Sequence, residues 1–392
     1  MKIPISKPFF GDEEKRAVME PLETGWIVQG PKVAEFEKGF AEYSKARHAI
    51  ATTSATTALH MALVALGVGP GDEVIVPAFT WVATANVVEM QRAKPVFVDI
   101  ELDTFNIDVS RIERAITKNT KAIMPVSLFG VSADMDPIMA LAKKHGIKVV
   151  EDAACATGSW YHGKHAGTVA DIGCFSFHPR KAITTGEGGM LTTADDKIAE
   201  HVRSLRDHGA SKSDLARHLG ARSYVLPDFN VVGFNYRMTD LQAAVGVVQM
   251  GRLPSILERR TAIAKRYDEA LGRLSWLRPP VTPAGYVHGY QSYVCMFRPE
   301  TPTVGNCDRL HAQRNALMDA LEQSGIATRP GTHAVHMLGF YRDTYGIRPE
   351  DYPNACLADR LTLALPLYSS LSAEEQDYVI ARMSDGEKSF AR

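Results

Sequence analysis

Apolar positions change their spacing along this chain, and the changes predict its elements. After Ser54, the residues Ala58, Leu59, Ala62, Leu63 and Leu66 fall at helical spacing, with Gly67 as the stop. Short apolar runs then recur at residues 73–77, 95–99, 121–126, 148–152 and 172–177. They are β-branched and apolar at successive positions, the pattern of strands covered on both faces. Helical stretches at 82–90, 110–116 and 135–145 lie between them. Strand and helix in alternation imply a mostly parallel α/β sheet, with ligands expected at the carboxyl ends of the strands.

Farther along, 189–193 reads as a strand and 197–206 as a helix, and 210–232 is less regular, a long surface excursion. Thr239-Asp240-Leu241-Gln242 has the spacing of a capping box that opens a helix. Pro254 is expected to interrupt that helix, and helical periodicity resumes over 255–271. The domain boundary is placed in this connector, giving a large domain at 1–250 and a smaller α+β domain at 251–392. The latter has a strand at 292–297 and helices at 307–324 and 373–383.

Composition narrows the class of function. A net charge of −1, with Lys and Arg scattered, leaves no electrostatic footprint for nucleic acid or an anionic membrane. The N-terminal residues lack an apolar signal core, and no segment approaches a membrane span. Cys155, Cys174, Cys295, Cys307 and Cys356 are odd in number, far apart and without a C-x-x-C pair. That usage suits a reducing cytoplasm and argues against a disulfide framework or a structural zinc site, so no metal is expected.

The chemistry concentrates in the run from Gly173 to Gly189. Lys181 lies in a loop between two strand-like segments, with Pro179 before it and Gly186, Gly188 and Gly189 after it. Those residues forbid a regular helix or strand across the loop. A lysine on such a turn can point into a cleft, where desolvation and a neighbouring cation favour the free amine that a Schiff base requires. The bland alternative is a solvated surface lysine. Asp152 ends an apolar strand, where a buried carboxylate needs a partner such as a protonated pyridine nitrogen. Taken alone, Asp152 caps the following turn.

Ser54-Ala55-Thr56-Thr57 opens a helix whose first amides and dipole suit a phosphate, although Ser54 could be a plain N-cap. Ser176 adds a hydroxyl beside the lysine loop. Trp81, just after a strand and turn, can stack on a flat heteroaromatic ring or simply fill the core. His333 and His336 are candidates for a substrate mouth, against a structural role for each.

The order of these pieces carries a resemblance. Ser54 is followed by Trp81, by Glu151-Asp152-Ala153-Ala154, by Ser176-Phe177-His178-Pro179-Arg180-Lys181 with Gly186-Glu187-Gly188-Gly189, and by Gly233-Phe234-Asn235-Tyr236-Arg237-Met238-Thr239-Asp240. Gly25-Trp26-Ile27-Val28-Gln29-Gly30-Pro31 and Leu365-Pro366-Leu367-Tyr368 extend the match over nearly the whole chain. The chain resembles the DegT/DnrJ/EryC1/StrS family of pyridoxal-phosphate sugar aminotransferases, in the fold-type I superfamily. The resemblance implies a mostly parallel seven-stranded sheet between helices, with a smaller C-terminal α+β domain. It also implies that Lys181 forms the imine with pyridoxal 5'-phosphate, Asp152 pairs with the pyridinium nitrogen and Trp81 stacks on the ring. Ala55, Thr56 and Ser176 would bind the phosphate, and Asn235 would reach the phosphate of a neighbouring subunit, which makes the protein a homodimer with shared sites. Its substrates would be an amino-acid donor, L-glutamate by family habit, and a keto sugar carried on a nucleotide.

Two positions depart from the family pattern. Cys155 stands where Gln is frequent, which leaves open what contacts the cofactor's phenolic oxygen. Ser127 stands where many members have His, which removes an imidazole from the substrate side. Rival readings are an aminotransferase acting on a cyclitol or forming an aminobenzoate, and a cofactor-binding regulator without turnover. Lys181 argues against the dehydratase branch, in which His replaces the lysine.

Overall fold

A computed structural model of the chain describes residues 1–212, 214–220 and 224–390. Seven strands form its central sheet: β1 (His48–Thr52), β2 (Glu73–Pro77), β3 (Lys94–Val98), β4 (Thr120–Ile123), β5 (Lys148–Asp152), β6 (Ile172–Ser176) and β7 (Gly189–Thr193). Their order across the sheet is β1-β7-β6-β5-β4-β2-β3. The strands from β3 to β6 pair in parallel, and β7 runs antiparallel to both β6 and β1. Alternate residues serve different cores: Val74 and Val76 face one apolar cluster, and Ile75 faces another. Covering both faces is why these strands read as unbroken apolar runs.

Two expectations fail locally. Residues 110–116 shrink to a 3₁₀ turn, Val109–Arg111, and one helical turn, Ile112–Ala115. Pro254 does not interrupt its helix, which runs unbroken over Asp240–Leu271. Leu253 and Ile256 are buried on either side of the proline, so packing outweighs the one backbone bond it removes. This helix spans position 250/251. It places Ala243, Leu253 and Ile256 in a core with Phe36 and Phe40, and Ile263, Tyr267 and Leu271 in a core with Tyr293 and Phe297. The helices Asp12–Thr24 and Pro31–Ser44 pack against it. Asp240 caps the second of these, accepting from the amides of Gly30 and Val33 at 2.7 and 3.0 Å.

The C-terminal part is a three-stranded antiparallel sheet of Leu277–Arg278, Tyr293–Phe297 and Thr362–Leu365. The helices Cys307–Gln323, Pro353–Leu361 and Ala373–Ser384 accompany it. The expected excursion at 210–232 contains a short helix, Asp214–Leu219, and strongly exposes Tyr224, Leu226, Phe229 and Val232. Residues 213 and 221–223 of that excursion lie outside the described residues.

Candidate active site

The carboxyl ends of β5 and β6 bring the predicted pair together. Asp152 ends β5, held by its own amide to the Pro125 carbonyl at 2.9 Å and by its carbonyl to the Ser127 amide at 3.0 Å. Its side chain is nearly fully buried. Oδ2 accepts from the Thr84 hydroxyl at 2.8 Å, and Oδ1 accepts from the Ala154 amide at 3.1 Å. Burial pushes the Asp152 pKa up, while these two donors and the positive charge of Lys181 oppose the rise. A buried carboxylate is costly without a partner, and among the described residues the Asp152 side chain is bonded to one hydroxyl and one amide. The turn-cap role is visible in the Ala154 bond.

Lys181 lies in the irregular segment between β6 and β7, as its neighbours Pro179 and Gly186 require. The loop is pinned at several points. Phe177 N donates to Gly188 O at 2.9 Å, and the Thr184 hydroxyl donates to Phe177 O at 2.7 Å. Gln242 reaches Glu187 O at 2.7 Å from the first turn of the long helix. The Lys181 ammonium donates to Cys155 Sγ at 3.1 Å. The position that departs from the family pattern therefore touches the lysine itself.

Ser54 caps the helix Ala55–Ala65, its hydroxyl accepting from the Thr57 amide at 3.2 Å. The amides of Ala55 and Thr56 occupy the first two helical positions, which have no intrahelical acceptor. β7 lies tightly against this turn. A Cβ on Gly189 would stand 2.4 Å from the Ser54 carbonyl atoms, so only glycine fits there. Ser176, at the end of β6, is nearly buried and receives the His178 amide at 3.4 Å.

Trp81 is 55% exposed and follows the two-residue strand Phe79–Thr80. That strand pairs with His333–Ala334, which sets the His333 ring 5.8 Å from the Trp81 ring. The two candidate histidines part company here. His333 is exposed beside Trp81. His336 is in the core instead of at a mouth: it is fully buried and packs on Phe97 and Tyr352. Its Nε2 has no hydrogen-bond partner among the described residues, and burial lowers its pKa. The short turn Val335–Met337, which follows the paired strand, swings this side chain inward.

Asn235 is exposed. The motif around it abuts the phosphate-type turn of its own chain, where Thr53 N donates to Tyr236 O at 3.1 Å. Ser127 has a structural partner: its hydroxyl donates to the buried Glu151 Oε1 at 2.5 Å, while Gly167 N donates to Oε2 at 2.7 Å. The sequence reading missed Thr84, which orients Asp152, and Thr80, 3.0 Å from the Thr84 hydroxyl. A signal existed: Thr84 is a hydroxyl in the first turn of the helix that follows Trp81, facing the same end of the sheet.

A parallel sheet with an antiparallel β7, a lysine on the β6–β7 turn and a buried aspartate at the end of β5 define a fold-type I pyridoxal-phosphate transferase. The chain belongs to the DegT/DnrJ/EryC1/StrS aminotransferase family, whose model matches residues 8–384. It is 41% identical over 387 residues to the GDP-perosamine synthase of Caulobacter vibrioides, covering 97% of each chain. It superimposes on the protein Spr1654 of Streptococcus pneumoniae in its PMP form with a TM-score of 0.91, at 33% identity and 99% coverage of both chains. A PLP form of that protein matches as well. Helicobacter pylori PseC, an aminotransferase of pseudoaminic acid biosynthesis, matches over the full length of both chains with a TM-score of 0.90 and 26% identity.

Proposed function

We propose that the chain transfers the amino group of L-glutamate to the keto group of a nucleotide-linked deoxysugar, with pyridoxal 5'-phosphate as cofactor. Such a product serves surface polysaccharide, glycoconjugate or antibiotic synthesis. The observation that carries the reading is the meeting of Lys181 and the buried Asp152 at one end of the sheet. Relatives that act on sugars, among them GDP-perosamine synthase and PseC, support the acceptor class.

The cofactor, when bound, supplies an aldehyde that takes up the amino group and a ring that accepts electrons. Asp152 would hold the proton on the ring nitrogen, because an unpaired carboxylate at this depth is costly. The Lys181 amine carries a proton between the donor's α-carbon and C4′ of the cofactor, a short-range acid–base role. Trp81 would stack on the ring. The amides of Ala55 and Thr56 and the Ser176 hydroxyl receive the phosphate. Cys155, against the Lys181 amine, would be among the residues that hold the cofactor, and His333 would line the substrate mouth. A second copy of the chain completes the site by offering Asn235. The exposed Phe229 and Val232 near that motif suit burial between two copies.

Spectroscopy tests the reading. The purified protein should be yellow and lose its colour on addition of L-glutamate. Labelled glutamate offered with a panel of keto-sugar nucleotides then identifies the acceptor. A coloured protein that responds to no amino acid would overturn transamination.

A further inference from the structure

The peptide group that leads into Lys181 is held at both ends. Its N–H, on Lys181, donates to the His178 carbonyl at 2.8 Å. Its carbonyl, on Arg180, accepts from Gln291 Nε2 at 3.2 Å. Gln291 comes from the C-terminal part of the chain. The Arg180 carbonyl can only accept, so the nitrogen end of the carboxamide faces it, and the Ser292 hydroxyl donates to the other end, Gln291 Oε1, at 3.0 Å.

The backbone of Gln291 is itself anchored. Arg260, on the long helix, donates from Nε to Tyr290 O at 2.8 Å and from Nη2 to Gln291 O at 2.6 Å. Arg260 is buried and pairs with no carboxylate among the described residues. Burial lowers its pKa to about 10, which still leaves it charged at neutral pH. Gly289 N donates to Gly130 O at 2.8 Å. Gly130 has φ +111°, and a Cβ there would meet the amides of Tyr290 and Gln291 at 2.7 and 2.9 Å. Residues 289–292 are thus wedged between the Gly130 turn and the lysine turn.

We propose that Gln291 is a positioning residue for Lys181. Fixing the plane of the 180–181 peptide fixes the direction in which the Lys181 side chain leaves the backbone, and hence where its amine sits for proton transfer. The proposal rests on the role given to Lys181 above. Gln291 acts through Arg180 and has no task in binding either substrate. Its loss should slow both halves of the cycle alike.

The test uses the cofactor-loaded protein and three variants. Gln291→Leu removes the donor, Gln291→His restores a donor of similar reach, and Ser292→Ala frees the carboxamide to rotate. With Gln291→Leu, single-turnover rates with glutamate and with the keto sugar should both fall about three- to tenfold, the worth of one neutral hydrogen bond. KM should stay within about twofold, and the pH midpoint of the visible band of the lysine-bound cofactor should move. Gln291→His should recover most of the rate. Ser292→Ala should show a smaller loss in the same direction, and it carries the test if Gln291→Leu fails to fold. An unchanged band and unchanged rates in both loss variants would overturn the proposal. So would a rise in KM for one substrate alone, which would make Gln291 a substrate contact. A wild-type protein without a lysine-bound band would defeat the proposed function instead.

Discussion

At the end of β5, Asp152 finds both of its hydrogen-bond donors, Thr84 and Ala154, within one chain, and it is nearly fully buried. Around Asn235 the chain behaves differently. Asn235 is exposed, and Phe229 and Val232 nearby are 60% and 90% exposed. One half of the candidate site is complete in a single fold, and the other half is an uncovered surface. The contrast teaches that the lysine side of the site can be judged from one chain, whereas the Asn235 side is an open surface whose role has to be tested with a second copy present.

The comparison breaks most sharply at Lys181. Lys181→Ala should lose the lysine-bound absorption band and slow turnover by about 10³-fold or more, as removal of a nucleophile does. A band held by another lysine would contradict the assignment. Asp152→Asn should keep the fold and cost about 10²-fold in rate, the scale of losing one positioned electrostatic partner. Near-normal rates would leave Asp152 as a turn cap alone.

The Asn235 side can be sharpened by mixing subunits. The Tyr236 carbonyl lies against Thr53 of its own chain, so Asn235 could serve its own phosphate turn or a neighbour's. Mixing Lys181→Ala chains with Asn235→Ala chains separates the two. If the site is shared, mixed dimers hold one intact site, and statistical mixing restores about a quarter of the wild-type rate. If Asn235 serves its own chain, every site stays defective and nothing is recovered. Dual tags confirm that mixed dimers formed.

The smallest expected effect concerns Glu151, on the closed side. Burial raises its pKa to about 7, above the ordinary carboxylate range. The folded chain therefore holds this proton more tightly than the unfolded one. Its contribution to stability is full below about pH 4.5 and is lost as pH rises to about 7, on the order of 3 kcal/mol in all. Melting temperatures of wild type and Glu151→Gln across that range should show a flatter pH slope in the variant. Parallel slopes would mean that Glu151 does not change its charge there.

Much of this architecture was legible in the residues. β2, β5 and β7 and the helix Ala55–Ala65 came out at their true positions, because periodicity and stop signals agree there. Pro254 misled, since local propensity cannot foresee that Leu253 and Ile256 pack on both sides of it. The helices Asp12–Thr24 and Pro31–Ser44 went unpredicted. One of them is capped by Asp240, far away in the chain, which no local pattern reveals. Within the candidate site, Lys181 and Asp152 were visible as residue types in the right context. Thr84 and Gln291 were not, because their meaning lies in bonds between distant segments. His336 had the same sequence neighbourhood as His333, and a single turn of backbone separated their fates.

The helix Asp240–Leu271 has 32 residues, so it is about 48 Å long. It is the common wall of two apolar cores. A cut at 250/251 would leave each piece with half a wall and an open seam. Melting should therefore follow one cooperative transition, and halves expressed separately should fail to fold until both are present together.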